Sequence, residues 1–206
     1  FGLIKLHKEE RPLRPICTGY SSLCANAENY LKKLLSPLTK NFKFLVESTK
    51  DFAEKFKTEK AKFDQSKHTL VSFGIVQLYT RVNTNRAISI ILDAVYKQPD
   101  IFFTEKDDFG RLLPIPDRES FRKFLHGVLT KFNFFRTPVG IFRQLSGLAM
   151  GSCLSSLISN ILELEINVVE KLIQQGHIIS WLRFADDCLA IVQKGAVENI
   201  LAEIKV

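Results

Sequence analysis

The sequence predicts an α+β fold in which helices pack on an antiparallel sheet. The apolar run "HTLVSFGIVQLYT", from His68 to Thr80, has the pattern of a central strand that is buried on both faces. The later segment "HIISWLRFADDCLAIV" is apolar apart from a short acidic turn, which predicts a hairpin. Between these segments apolar residues recur at helical spacing. The resulting order of strands and helices is that of a split β-α-β, ferredoxin-like sheet.

The region before the first strand predicts a basic hairpin followed by two helices. Prolines interrupt the opening "GLIKLHKEERPLRPICTG", which therefore predicts two extended pieces joined by a charged loop. Leucines share one helical face from about residue 26 to residue 38, and phenylalanines share one within "TKDFAEKFKTEKAKF". We interpret both helices as packing elements.

The central region predicts capped helices and a second hairpin. Asn83 or Thr84 caps the first helix, and Asp117 caps the second. The acidic segment "EKDDFG" between them is typical of a solvated turn rather than of a metal site. The aromatic segment "FNFFRTPVGIFRQL" contains a proline and a glycine, which favours a hairpin.

The glycine turn "GLAMGS" comes next, and it predicts the opening of a long apolar helix. The apolar pattern of that helix runs from about residue 154 to residue 175. Gly176 follows it directly, in the position where a glycine commonly ends a helix.

Composition limits the classes of function. The chain has 206 residues, 46% of them hydrophobic, so it can form one large domain or two small ones. Lysine and arginine number 29 against 22 acidic residues, which suits a polyanionic partner such as nucleic acid, although solvated surface lysine gives the same surplus. The four cysteines form no C-x-x-C pair, which argues against zinc and disulfides and favours a reducing intracellular setting, with the nucleus as one option.

Two further expectations come from the limits of the chain and of its apolar runs. No run reaches the roughly 18 residues of a membrane span, so we expect no membrane partner. The chain starts at Phe1 and ends within the helical pattern "LAEIKV", so we expect it to be a piece of a longer protein.

Asp186 and Asp187 form the strongest candidate for a chemical site. They lie at the tip of a hairpin with apolar arms, so their carboxylates must face water or a cation. Adjacent acids are common in turns. Here they accompany a buried strand, a glycine turn and a basic loop, which are the parts that metal-dependent nucleotidyl transfer requires. Mg²⁺ needs oxygen ligands that converge from separate strands, and a glycine turn admits a nucleotide close to the backbone.

Four segments carry a family resemblance: "FGLIKLHKEERPLRPICTG", "SFGIVQLYT", "QLSGLAMGSCLSSLISNILE" and "WLRFADDCLAIV". In order and spacing they resemble the successive motifs of reverse transcriptases, and most closely those of Penelope-like retroelements. The resemblance implies a right-hand polymerase with fingers, a ferredoxin-like palm and no thumb within the 206 residues. Residues 1–68 would be mainly fingers and residues 69–206 mainly palm, with a fingers insertion at about 97–140.

The resemblance also implies roles for single residues. Asp186 and Asp187 match the paired catalytic acids that bind the Mg²⁺ ions of a two-metal site. The expected partners are dNTPs and an RNA or DNA primer-template, and the oligomeric state stays open. By the same matching, contacts to the dNTP are implied for Arg14, Tyr79 and Gly151, and contacts to nucleic acid for Lys5 and Lys8.

One departure from the family pattern changes the expected activity. Gly74 stands where the family has the aspartate that bridges the two metal ions, so a carboxylate is missing. Cys153, Ser156 and Phe184 also differ from the family's residues, but these changes are tolerable, because phenylalanine keeps the ring and the loss of a proline mainly loosens the turn. We therefore expect an impaired reverse transcriptase. The alternative is a catalytically inactive nucleic-acid-binding remnant or domesticated scaffold. A two-acid nuclease or an unrelated metal enzyme is a much weaker third interpretation.

Overall fold

The computed structural model describes residues 2–4, 6, 9–11, 13–16, 22–39, 42–162 and 167–204. The chain divides into two compact units. Unit 1 comprises Phe1–Asn41 and Gln77–Leu162, and unit 2 comprises Phe42–Val76 and Glu163–Val206. No helix in the described ranges is long and apolar enough to cross a membrane.

Helices and short strands alternate along the chain. In order they are β1 (Gly2–Ile4), β2 (Leu13–Pro15), α1 (Ala25–Leu35), a 3₁₀ turn (Ser36–Leu38), α2 (Thr49–Lys60), β3 (His68–Gly74), α3 (Thr84–Lys97), α4 (Pro99–Phe102), α5 (Arg118–His126) with a π-helical extension (Gly127–Lys131), β4 (Phe134–Thr137), β5 (Gly140–Arg143), α6 (Ser155–Ile161), α7 (Asn167–Gln174), β6 (Ile178–Phe184), β7 (Asp187–Gln193) and α8 (Val197–Ile204).

Unit 2 is built on an antiparallel sheet in the order β3-β7-β6. One face of the sheet is apolar, and there Phe73 stacks on Trp181 with 5.3 Å between the ring centroids. This face packs with residues of α7 and α8, such as Leu172 and Ile200, which are fully buried. The predicted strand and hairpin are confirmed. The described sheet has three strands, which is one fewer than the ferredoxin-like plan.

The prediction that β3 is central and buried on both faces is wrong. Within the described ranges β3 pairs only with β7 and lies at the edge of the sheet. Val71 and Phe73 face the core, whereas Leu70 on the other face is 48% exposed. The strand also ends at Gly74, and residues 76–81 form turns. An apolar run records hydrophobicity but not what covers each face, so it cannot distinguish an edge strand from a central one.

Unit 1 is mainly helical. Its core is formed by buried residues from α1, α3, α5 and α6, including Leu31, Ile91 and Leu125. The predicted caps are present: Asn83 Oδ1 accepts a hydrogen bond from the backbone N–H of Arg86 at 3.1 Å, and Asp117 Oδ1 accepts one from Ser120 at 2.9 Å. These bonds satisfy amides that the first helical turn leaves without partners.

Several other predictions for unit 1 are also confirmed. β1 and β2 pair as antiparallel extended pieces, and β4 and β5 form the aromatic hairpin. In the acidic segment Asp107 accepts hydrogen bonds from the backbone of Phe109 and Arg111, which is a solvated turn.

The predicted long helix corresponds to two helices, α6 in unit 1 and α7 in unit 2. Residues 163–166 lie outside the described ranges. Gly176 follows α7 with a φ of +76°, as predicted for a glycine that ends a helix. The division into fingers and palm stays a prediction.

A side chain at Gly147, in unit 1, would collide with the backbone. Its φ is +71°, and a Cβ there would approach the carbonyl oxygen of Thr80 to 2.5 Å. We expect Gly147→Ala to lower the free energy of unfolding by about 3 kcal/mol or more, from left-handed strain and overpacking together. Urea unfolding measures the loss.

Gly110→Ala is the matched control. Gly110 is in the same unit with a φ of +76°, but no atom lies within 4 Å of a Cβ there. Strain alone should lower the free energy of unfolding by about 1 kcal/mol. Equal losses for the two variants would show that the contact with Thr80 is not the cause.

Candidate active site

The paired acids lie where β6 turns into β7. Phe184 pairs with Asp187, so Ala185 and Asp186 form a two-residue turn. Ala185 has a φ of +52°, which is uncommon for alanine. Both aspartates are exposed, as their predicted position at the tip of the hairpin required.

Arg183 stabilises this turn through a hydrogen bond to its backbone. The residue is 2% exposed, and its Nε donates a hydrogen bond to the carbonyl oxygen of Ala185 at 2.8 Å. Its backbone N–H donates to Phe44, and its carbonyl accepts from the N–H of Val46. Sequence reasoning missed this residue, although an arginine inside an apolar strand was a visible signal.

Gly74 lies directly opposite Asp187 in the sheet. The next amide, that of Ile75, donates a hydrogen bond to the carbonyl oxygen of Asp186 at 2.8 Å. Directly paired residues project to the same face, with Cβ atoms about 4.5–5.5 Å apart. The register thus brings position 74 and the paired acids together.

Gly74 is not required by the backbone or by packing. It does not lie in the left-handed region, and a Cβ built on it meets no atom within 4 Å. A Cβ at this position would therefore displace no neighbour.

The donor set present at the turn fits one Mg²⁺ but not a two-ion site. Mg²⁺ can be held by one or two carboxylates together with substrate phosphates, and Asp186 and Asp187 supply two carboxylates. Within the part of the chain that the structure describes, no group of three or more His, Cys, Asp or Glu residues could hold a metal. Asp64, an upstream acid in the same unit, accepts hydrogen bonds from the backbone N–H and the hydroxyl of Ser66.

The glycine turn lies in unit 1 and contacts the segment after β3. The N–H of Leu148 donates a hydrogen bond to the carbonyl oxygen of Tyr79 at 2.7 Å. Gly151 is exposed with a φ of +106°, so this turn requires glycine. Tyr79 is half-buried against the core of unit 1. The structure thus brings the backbone of Tyr79 to the turn that contains Gly151.

Glu28 supports the same turn, and sequence reasoning missed it. This buried carboxylate on α1 accepts a hydrogen bond from the Ser152 hydroxyl at 2.9 Å and from the Cys153 thiol at 3.8 Å. Burial, together with the charge of Glu28, raises the pKa of Cys153, so the thiol keeps its proton and acts as the donor. The available signal was an acid on the helical face that carries Leu31 and Leu35.

The remaining predicted residues belong to the N-terminal segment. Arg14 lies in β2 opposite Leu3. Lys5 and Lys8 lie outside the described residues. The roles assigned to these residues, and to Asp186, Asp187, Tyr79 and Gly151, stay predictions.

Comparison with known proteins gave matches to solved structures alone: no protein-family model and no curated protein matches the chain. Telomerase from Candida tropicalis in complex with a TWJ fragment of telomeric RNA matches with a TM-score of 0.62 and 17% identity, over 100% of this chain and 38% of that one. The C. tropicalis apo telomerase truncated from its C-terminal domain matches with a TM-score of 0.59 and 16% identity, over 90% of this chain and 37% of that one. Telomerase from Candida albicans in complex with a TWJ fragment of telomeric RNA matches with a TM-score of 0.57 and 13% identity, over 99% of this chain and 39% of that one.

The chain thus spans less than two fifths of each of these three telomerase chains. At identities of 13% to 17% the likeness establishes the fold alone. The chain has a mixed α/β fold that is similar to the fold of part of these telomerase chains.

Proposed function

We propose that this chain is the core of an RNA-directed DNA polymerase whose catalysis is impaired by Gly74. It would add nucleotides from dNTPs to a primer 3′-hydroxyl on an RNA or DNA template. The observation that carries the proposal is the register that sets Gly74 opposite Asp187, beside the acidic turn. The order of the four motif segments supports it, and the assignment to the Penelope-like subtype rests on those segments.

The proposed metal is Mg²⁺, held by Asp186 and Asp187. A bound ion would supply a lower pKa for the attacking hydroxyl and neutralisation of charge on the leaving pyrophosphate. Gly74 has no side-chain carboxylate, so a second ion would lack a charged ligand from this position. Positioning and charge neutralisation supply most of the catalysis in phosphoryl transfer, so this loss should slow the reaction by orders of magnitude.

The protein's own residues would position the reactants. Arg183 and the amide of Ile75 hold the turn that presents the two carboxylates. By resemblance, Arg14 would contact the triphosphate, Tyr79 the sugar and Gly151 the nascent base pair. Lys5 and Lys8 would contact the nucleic-acid backbone.

The alternative function is binding of nucleic acid without catalysis. The presence of only two carboxylates at the turn favours this alternative. The surplus of 29 basic over 22 acidic residues suits nucleic-acid binding with or without catalysis. A binding remnant would show salt-sensitive affinity for RNA or DNA and no incorporation of nucleotides.

Primer extension on an RNA template with Mg²⁺ or Mn²⁺ tests the proposal. We expect Gly74→Asp to extend a primer at least about 100-fold faster than the native chain, because it restores a charged ligand at the reaction centre. Gly74→Asn, which has the same shape without the charge, should remain as slow as the native chain.

The outcomes separate the readings. Robust extension by the native chain would contradict the claim that Gly74 impairs catalysis. No extension by either the native chain or Gly74→Asp, with both folded, would contradict the polymerase proposal and favour the binding remnant.

Metal binding provides a test without catalysis. We expect Gly74→Asp to bind Mn²⁺ at least about tenfold more tightly than the native chain, measured by electron paramagnetic resonance, because three carboxylates then converge. Gly74→Asn should match the native chain. Adding Asp187→Asn to Gly74→Asp should remove the gain, and a gain that survives this change would show that the metal lies elsewhere.

A further inference from the structure

The β4–β5 hairpin in unit 1 exposes a face that alternates aromatic or aliphatic residues with arginines. Phe134 pairs with Arg143, and Arg136 pairs with Ile141. Paired residues and residues two apart on one strand share a face, so all four side chains project to the same side. All four are exposed, with Phe134 at 57% and Ile141 at 72%.

The opposite face of the hairpin keeps this arrangement fixed. There Phe135 and Phe142 stack with 5.9 Å between their centroids and 24° between their ring planes. The side chains of the exposed face are therefore presented on a paired and stacked scaffold rather than on a free loop.

The stretch of sequence that contains this hairpin carries charge of one sign. No aspartate or glutamate occurs between Glu119 and Glu163 in the sequence. Neither Arg136 nor Arg143 forms an ion pair with any acid among the described residues, whereas Arg111 and Arg122 elsewhere in the unit do. The two guanidinium groups are thus available to an anionic partner.

We propose that this face binds a single strand of nucleic acid. The two arginines would contact successive phosphates, and Phe134 would stack on an unpaired base, which is the combination of groups that binds single strands without sequence preference. A duplex keeps its bases stacked and offers the ring no partner. The proposal goes beyond the proposed active site, because binding here needs neither metal nor dNTP.

An apolar protein partner suits the surface less well. Each exposed apolar side chain lies opposite an arginine, so a partner that covered the face would have to supply two anionic groups at fixed spacing. A phosphodiester backbone supplies such groups at every nucleotide, and its bases supply the apolar faces.

Fluorescence anisotropy with the full chain in EDTA and without dNTP tests the proposal. The probes are labelled single strands of oligo(U) and oligo(dT) and a blunt DNA duplex. We expect Phe134→Leu, which keeps an apolar side chain but removes the ring, to weaken single-strand binding at least about fivefold. Arg136→Gln with Arg143→Gln should reduce the slope of log affinity against log salt by about 1.4, or about 0.7 for each phosphate contact.

Matched controls separate the face from general effects. Lys57→Gln with Lys60→Gln removes two exposed charges on α2. Phe109→Leu removes a ring that is 83% exposed beside Arg111. Both controls should bind the single strands as the native chain does.

Each result supports or overturns the proposal. A loss confined to the hairpin variants supports it, and the probe affected identifies RNA, DNA or both as the ligand. Equal losses in hairpin and control variants, or equal losses on the duplex, would overturn it. Self-association that disappears in Phe134→Leu, measured by sedimentation, would instead assign the face to a second copy of this chain. Because no nucleotide is incorporated, failure here is distinct from failure of the polymerase proposal.

Discussion

The pairing of β3 with β7 is the constraint on which both the core of unit 2 and its candidate site depend. Its register runs without interruption from His68 opposite Gln193 to Gly74 opposite Asp187. A slip of one residue would send every side chain of β3 to the other face, so Phe73 would leave Trp181. Apolar packing on one face therefore fixes which backbone position lies beside the acids at the end of the strand.

Each unit also contains one turn of the candidate site, and in each unit a buried charged residue forms a hydrogen bond with that turn. In unit 2 the guanidinium group of Arg183 donates to the acidic turn. In unit 1 the carboxylate of Glu28 accepts from the glycine turn. A buried charge is costly unless hydrogen bonds compensate it, and both groups have such bonds. A turn without such a bond could adopt several geometries of similar energy. We infer that these two residues select one geometry for each turn.

Local patterns predicted the elements whose determinants lie close together in sequence. The cap at Asn83, the end of α7 at Gly176 and the acidic hairpin each depend on a few neighbouring residues, and each was predictable. The contact between Glu28 and Ser152 joins positions 124 residues apart, so no local pattern reports it. The exposure of Leu70 depends on what packs against that face of the sheet, which the residues of β3 do not encode. The motif resemblance identified position 74, but the fact that its Cβ would meet open space required the structure.

The core of unit 2 and the proposed metal site use opposite faces of the same sheet. The fold can therefore remain intact when the metal site loses a ligand. Phe73 and Val71 contribute to the buried core, whereas position 74 and Asp187 project to the other face at its open end. A carboxylate opposite Asp187 would repel it, at a cost of about 0.2–1 kcal/mol when no cation is present. Glycine removes that repulsion and leaves every core contact in place. Stability therefore exerts no pressure to keep an acid at position 74, and only a function that requires a bound cation would do so.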